Sequence, residues 1–119
     1  MNIKYTEKIE AFSGQEGTKI RQIFSPQDTA NVIRYSIAHC TISPNKTSKP
    51  HTMKTSEIYY ILEGSGIFHI GEEQSKVKKN DAIFVPPNSR QFLENIGEVD
   101  LIALCIVDPA WRQEDEISE

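Results

Sequence analysis

Short apolar runs separated by turn-forming residues follow one another along most of this chain. Runs of this length, alternating or wholly apolar and bounded by Gly, Pro, Asn and Asp, are typical of β-strands. The combinations between them, such as Glu63-Gly64-Ser65-Gly66 and Pro86-Pro87-Asn88-Ser89, favour tight turns. We therefore predict an all-β protein in which about half of the residues are strand. The nine predicted strands are Lys19–Phe24, Val32–Ile42, His51–Met53, Glu57–Leu62, Gly66–Ile70, Lys76–Lys78, Ala82–Val85, Arg90–Asn95 and Leu101–Val107.

Helical segments are scarce. Two stretches that begin with proline, Pro26–Thr29 and Pro109–Arg112, each predict a single turn, because proline suits the first position of a helix. Neither stretch is long enough to form a helix of the core.

The run Leu101–Val107 is apolar on both of its faces, whereas a strand with one face in water would alternate. Its outer face therefore has to be covered, either by edge loops of another sheet or by a second copy of the chain. We predict a homodimer.

The length and the charge of the chain limit its partners. With 119 residues it has the size of one domain, and we assign residues 1–119 to a single domain with a short N-terminal extension and an acidic C-terminal tail. The net charge of −4 offers no basic patch for phosphate groups, so we expect no nucleic-acid partner. The N-terminal residues contain no apolar signal-type segment, and no apolar run approaches the length of a membrane span. We expect a cytoplasmic protein with no membrane partner.

Two groups of residues at characteristic spacings carry a family resemblance. The chain resembles the cupin superfamily, whose two motifs run G-x5-H-x-H-x3-4-E-x6-G and G-x5-P-x-G-x2-H-x3-N. The resemblance implies a double-stranded β-helix, or jelly-roll, barrel, with its motif core at residues 45–95. The positions of this chain that match the two motifs are Asn45, His51, Met53, Glu57 and Gly64, followed by Asn80, Pro86, Asn88, Gln91 and Asn95.

Three of these positions hold asparagine where the family pattern has glycine: Asn45, Asn80 and Asn88. Asparagine is the residue other than glycine that best tolerates the left-handed backbone conformation, because its short amide bonds locally to the backbone. We therefore expect all three turns to keep the geometry of the family.

The candidate metal ligands depart further from the pattern. Alternation along a strand places His51 and Met53 on the same, inward face. The resemblance implies that two histidines and a glutamate of the first motif meet a histidine of the second motif around a divalent ion. Here His51 and Glu57 are kept, while Met53 and Gln91 replace histidines. We predict His51, Glu57 and Gln91 as metal ligands for Mn, Fe, Ni or Zn, with Cu less suited to this donor set.

Whether an ion binds at all stays open, because an amide is a weak ligand. Met53 suits an apolar plug of the space that a histidine leaves better than it suits a ligand. The alternative for Gln91 is a hydrogen bond to Glu57 or to a backbone group. Met53 and Tyr59 are predicted to line the pocket. Cys40 and Cys105 lie in apolar runs without metal-type spacing, and we expect them to be buried, reduced thiols.

The resemblance leaves several functions open. The first is a barrel whose mouth holds a small carboxylate- or carbonyl-bearing molecule, sugar-like molecules included, with a divalent metal and isomerase or lyase chemistry. The alternative is a non-catalytic ligand-binding or sensing barrel without metal. A metal-dependent dioxygenase is a further alternative, which the loss of two histidines disfavours. The sequence assigns no catalytic residue.

Overall fold

The computed structural model describes residues 1–13 and 18–119, and it has the predicted all-β, jelly-roll architecture. Strands make up about half of the chain, and the helical segments are 3-10 turns of three or four residues. The eleven strands are β1 (Phe12–Ser13), β2 (Thr18–Phe24), β3 (Ser36–Ile42), β4 (His51–Met53), β5 (Ser56–Glu63), β6 (Ser65–Ile70), β7 (Glu73–Lys78), β8 (Ala82–Val85), β9 (Arg90–Asn95), β10 (Leu101–Asp108) and β11 (Glu116–Ser118).

The strands form two antiparallel sheets that enclose the interior of the barrel. One sheet has the order β1-β2-β3-β10-β5-β8 and the other has the order β11-β4-β9-β6-β7. Hydrophobic residues of both sheets fill the end of the barrel where Leu101 pairs with Ile42 and Phe68 pairs with Leu93. The opposite end, where Glu57 pairs with Val107, carries the polar side chains described below. No helix within the described residues has the length and apolar character needed to cross a membrane.

Two predicted strands differ from the structure by more than one residue at their first position. The predicted strand Lys76–Lys78 begins earlier, at Glu73. The predicted strand Val32–Ile42 begins only at Ser36, because Ala30 and Asn31 adopt positive φ angles after the 3-10 turn and redirect the chain. The prediction missed β1 and β11, which are two and three residues long and too short to show a periodicity.

Of the two predicted turns, Pro26–Thr29 is confirmed, and Ser25 and Asp28 cap it reciprocally. The prediction at Pro109–Arg112 was wrong, because the turn forms at Gln113–Asp115 instead. There the guanidinium of Arg112 binds the carboxylate of Asp115, with Nε 2.9 Å from Oδ2.

The asparagines at the glycine positions behave as predicted. Asn45, Asn80 and Asn88 have φ angles of 63°, 77° and 65°, all in the left-handed region. Gly64, which the chain keeps, has a φ angle of 87°, and a Cβ atom there would lie 2.8 Å from the carbonyl oxygen of Asp100. Asparagine meets the conformational demand of the first three turns, whereas the close backbone approach at Gly64 leaves no room for any side chain.

The strand Leu101–Asp108 alternates strictly in burial although its sequence does not alternate in polarity. Leu101, Ala103, Cys105 and Val107 are buried, while the apolar residues between them lie half-exposed on the outer face of the six-stranded sheet. On the neighbouring strands, Ile58 and Phe84 remain 42% and 60% exposed. A single chain therefore leaves an apolar surface on this sheet, which we call the outer apolar face.

Candidate functional site

A large cavity lies between the two sheets and opens at the end away from the packed core. Its volume is about 1090 Å³. The inner faces of β2, β3 and β10 supply most of its wall, together with Glu57 and Tyr59 of β5 and His51 of β4. Apolar side chains dominate the deeper wall, among them Ile20, Ala38, Ile42, Leu93, Leu101 and Ala103. Such a space, apolar with a few convergent polar groups, is typical of a small-molecule site.

Three buried side chains form a continuous hydrogen-bonded chain beside this cavity. The hydroxyl of Tyr59 donates to Oε1 of Gln91 at 2.8 Å, and Nε2 of Gln91 donates to Oε1 of Glu57 at 3.0 Å. His51 extends the group, because its Nε2 atom lies 4.0 Å from the same oxygen of Glu57. We call these four residues the polar cluster.

Strand register explains why residues distant in the sequence meet here. Glu57 and Tyr59 alternate inward along β5, and His51 pairs directly with Gln91 where β4 lies beside β9. The spacing of the two motifs therefore brings His51, Glu57 and Gln91 to one place at the barrel mouth.

Exposure distinguishes the predicted site residues from one another. His51, Glu57 and Tyr59 line the cavity. Gln91 and Met53 are 1% and 2% exposed, and neither is among the described residues that line it. Met53 was predicted to line the pocket, whereas the structure places it outside the cavity wall. Strand β11 pairs with β4 at Met53, and the amide of Asn88 donates to the carbonyl of Met53, so that the chain closes over this position.

The charged state of the cluster follows from its contacts. Burial alone would lower the pKa of His51, but the carboxylates of Glu57 and Glu116 and a hydrogen bond to the carbonyl of Lys49 together raise it. The imidazole Nδ1 atom lies 3.0 Å from that carbonyl oxygen and donates to it. Burial, together with the nearby acidic groups, raises the pKa of Tyr59 well above its ordinary value. At neutral pH the hydroxyl of Tyr59 is therefore a donor, and His51 retains its proton to a higher pH than a free histidine.

The donor atoms of the cluster do not fit a resident metal ion. An ionised carboxylate only accepts hydrogen bonds, so the contact with Glu57 fixes the Gln91 amide with its NH2 group toward Glu57. The oxygen of that amide accepts from Tyr59 and is directed away from Glu57. His51 and Glu57 remain as ligands, whereas a catalytic zinc site uses three protein ligands. No group of three or more His, Cys, Asp and Glu side chains able to hold an ion occurs in the described residues.

The three predicted ligands, His51, Glu57 and Gln91, thus contact one another and do not direct their ligand atoms toward one common point. Gln91 acts as a hydrogen-bond donor to the carboxylate of Glu57. The same carboxylate lies 4.0 Å from Nε2 of His51, whose pKa it raises, so both neighbours stabilise its charge in the buried position.

Sequence reasoning missed one residue of this site, Lys49. It lines the cavity two residues before His51. The other two long cationic side chains of the wall are paired, Arg34 with Asp108 and Arg112 with Asp115. Within residues 1–13 and 18–119, Lys49 forms no ion pair. The only sequence signal was its spacing of two from His51, and a strand that begins at His51 does not extend to it.

The two cysteines also meet in the cavity wall. Both are free thiols, and their sulfur atoms lie 3.2 Å apart. Cys105 is buried, as expected, whereas Cys40 is only half-buried.

Comparison with known proteins gives a consistent family assignment. A family model described as "Cupin domain" matches residues 38–107. An uncharacterized protein of Methanocaldococcus jannaschii is 36% identical over 110 residues, which are 92% of this chain and 87% of that protein. An oxalate-binding protein of Thermotoga maritima is 28% identical over 103 residues, which are 85% of this chain and 84% of that protein.

Solved structures share the fold at lower identity. A predicted oxalate decarboxylase of Thermotoga maritima superposes with a TM-score of 0.77 at 24% identity, covering 89% of this chain and 97% of that chain. The polyketide cyclase RemF of Streptomyces resistomycificus superposes with a TM-score of 0.75 at 20% identity, covering 90% of this chain and 78% of that chain.

Proposed function

Because this chain belongs to the cupin family, we propose that it is a small-molecule-binding barrel whose cavity takes an organic acid with an apolar body. The observation that carries the proposal is the position of Lys49 in the cavity wall, beside a histidine whose pKa is raised. A lysine of this wall that forms no ion pair within residues 1–13 and 18–119 is a favourable partner for a carboxylate or a polarised carbonyl.

The polar cluster gives the bound group an orientation. The ammonium of Lys49 binds the carboxylate of the ligand. In its imidazolium form His51 donates from Nδ1 to the carbonyl of Lys49 and keeps a second proton on Nε2, which faces Glu57 and can donate to a second ligand oxygen. Glu57, which accepts a hydrogen bond from Gln91, raises the pKa of His51 and so favours its protonated form. Lys49 and the polar cluster thus bind and orient the acid without forming a covalent bond to it.

The size of the cavity favours a ligand larger than a two-carbon acid. A volume of about 1090 Å³ lies at the upper end of the range of small-molecule pockets, and the deeper wall is apolar. One relative is named an oxalate-binding protein, and oxalate would leave most of this space unfilled. An acid with an aromatic or aliphatic body gains additional affinity by removing its apolar surface from water.

Binding in this account does not depend on a metal. A metal-dependent isomerase or lyase would require Gln91 to turn its amide oxygen toward the ion, which breaks its hydrogen bond to Glu57 and reverses its hydrogen bond with Tyr59. After this rotation of its amide, Gln91 would be a neutral third ligand, which is weak compared with the histidine of the family pattern.

The test ligand is 2-naphthoate, an organic acid with an aromatic body. Replacement of Lys49 by methionine is expected to weaken its binding roughly tenfold, because a charge-assisted hydrogen bond contributes about 1.5 kcal/mol or more. Methionine keeps most of the apolar stem of lysine and removes the charge. The dissociation constant is measured by isothermal titration calorimetry.

The matched control is Lys54→Met, since Lys54 is exposed and does not line the cavity. Its dissociation constant should equal that of the wild type. Equal affinities for the wild type and Lys49→Met would contradict the assignment of Lys49 as the anion-binding residue.

We also propose that the protein is a homodimer through the outer apolar face. Ile102, Leu104 and Ile106 of β10 lie on this face, and Ile58 and Phe84 of the neighbouring strands extend it. An apolar surface at the centre of a sheet, rather than isolated exposed residues, is typical of a subunit interface. A second copy of the same chain offers a surface of matching polarity.

Substitution of Ile106 by glutamate should weaken the dimer at least about a hundredfold, because the interface would bury an unpaired charge. Sedimentation velocity should show the wild type at about twice the 13.5 kDa of one chain and the variant at the mass of one chain. Val99→Glu introduces the same charge in an exposed loop and should remain dimeric. A monomeric wild type at high concentration would refute the proposed interface.

A further inference from the structure

The thiols of Cys40 and Cys105 form a pair whose chemistry the binding site does not use. Their Sγ atoms are 3.2 Å apart, closer than two sulfur atoms in ordinary non-bonded contact. A disulfide bond is about 2.05 Å long, so the two sulfurs have to approach by only about 1 Å to form one.

Strand register accounts for this contact. Cys40 of β3 pairs with Ala103 of β10, and Cys105 pairs with Ala38. The two cysteines therefore occupy diagonal positions on the same inner face of the sheet, where neighbouring side chains reach one another. The residues directly opposite them are alanines, whose side chains are small.

Both thiols are also accessible from the cavity. Cys40 and Cys105 are among the residues that line it. Cys105 is only 4% exposed, so a protein oxidant cannot contact its sulfur directly, whereas a small molecule within the cavity can reach both thiols.

The two thiols are not equivalent in reactivity. The contact with Cys40, followed by burial, raises the pKa of Cys105 well above its ordinary value. Cys40 is the more exposed of the two. Since the thiolate is the nucleophile, Cys40 reacts first with an oxidant and Cys105 resolves the product.

We propose that Cys40 and Cys105 form an oxidisable dithiol in the cavity wall, which a small hydroperoxide converts to an intrachain disulfide. The thiol of Cys40 ionises, its thiolate attacks one peroxide oxygen, and the O–O bond breaks to give a Cys40 sulfenic acid. With hydrogen peroxide the leaving hydroxide takes up the proton that Cys40 released and becomes the first water. The thiol of Cys105 then attacks the Cys40 sulfur, the S–O bond breaks, and the hydroxide leaves with the proton of Cys105 as a second water. Two electrons pass from the two sulfurs to the peroxide.

The experiment treats the reduced wild-type protein with hydrogen peroxide and follows its intact mass and its thiols after denaturation. We expect a loss of about 2 Da, simultaneous loss of both thiols, and recovery by dithiothreitol, as a disulfide requires. Peptide mapping without reductant should join the peptides that contain β3 and β10. Addition of oxygen atoms to the two sulfurs without a cross-link, or a cross-link between chains, would overturn the proposal.

Two single variants test the order of the steps. Cys105→Ser should form a Cys40 sulfenic acid that dimedone traps, at a rate close to that of the wild type. Cys40→Ser should react with peroxide at least about tenfold more slowly, because the remaining thiol is buried and largely protonated. Equal reactivity of the two variants, or the reverse order, would contradict the assignment of Cys40 as the attacking thiol.

Discussion

The double variant Met53→His/Gln91→His is expected to bind divalent metal ions more tightly than the wild type. It restores the two imidazoles of the family pattern next to His51 and Glu57, which already lie 4.0 Å apart. Four-ligand structural zinc sites gain about 10–16 kcal/mol from the ion, so two further ligands should raise the zinc affinity by at least about a hundredfold. The measurement is the dissociation constant for zinc by competition with a chelating dye.

The single variants serve as controls for this gain. Gln91→His alone should increase the affinity less than the double variant, and Met53→Leu, which keeps the site apolar, should leave it unchanged. A folded double variant with no greater zinc affinity than the wild type would show that the missing histidines are not what the site lacks. A wild-type protein that binds zinc as tightly as the double variant would lead to the same conclusion.

Replacement of Gln91 by methionine should destabilise the fold by about 2–4 kcal/mol, because it leaves the Tyr59 hydroxyl without its acceptor and the buried Glu57 carboxylate without its amide donor. Methionine has nearly the same shape as glutamine, so the change removes the hydrogen bonds and leaves the packing. The free energy of unfolding is measured by urea denaturation at neutral pH, where Glu57 is ionised in the unfolded chain.

The matched control, Leu93, lies on the same face of β9 as Gln91. Leu93→Met changes a buried apolar side chain to another of similar volume and should destabilise the protein by less than about 1.5 kcal/mol. If Gln91→Met is as stable as the wild type, the hydrogen-bonded chain from Tyr59 to Glu57 does not stabilise the barrel, and the polar cluster has been misread.

The spacing of the two motifs was sufficient to predict the barrel and the meeting of His51, Glu57 and Gln91 at one end of it. Strand alternation decides which side chains face inward, and antiparallel pairing then brings the second motif beside the first. The left-handed turns at the three asparagines could be predicted for a similar reason, because the backbone there limits the choice of residue.

The orientation of the Gln91 amide could not be predicted from spacing. It depends on the groups on both sides of the amide: the Glu57 carboxylate only accepts, so the NH2 group faces it, and the amide oxygen then accepts from the Tyr59 hydroxyl, which lies outside the metal-ligand pattern. Lys49 was missed because it precedes its strand and belongs to neither motif. The contact between Cys40 and Cys105 depends on a register between strands that are 65 residues apart in the sequence, which residue types alone do not determine.

The central claim is that the cavity binds an organic acid without the help of a metal. Calorimetric titration of chelator-treated wild-type protein with 2-naphthoate, repeated after the addition of manganese or zinc, tests it most directly. We expect one molecule bound per barrel with the same dissociation constant in both conditions, since Lys49 and His51 hold the carboxylate. Binding that appears only after the metal is added would contradict the claim and would return His51, Glu57 and Gln91 to the role of metal ligands.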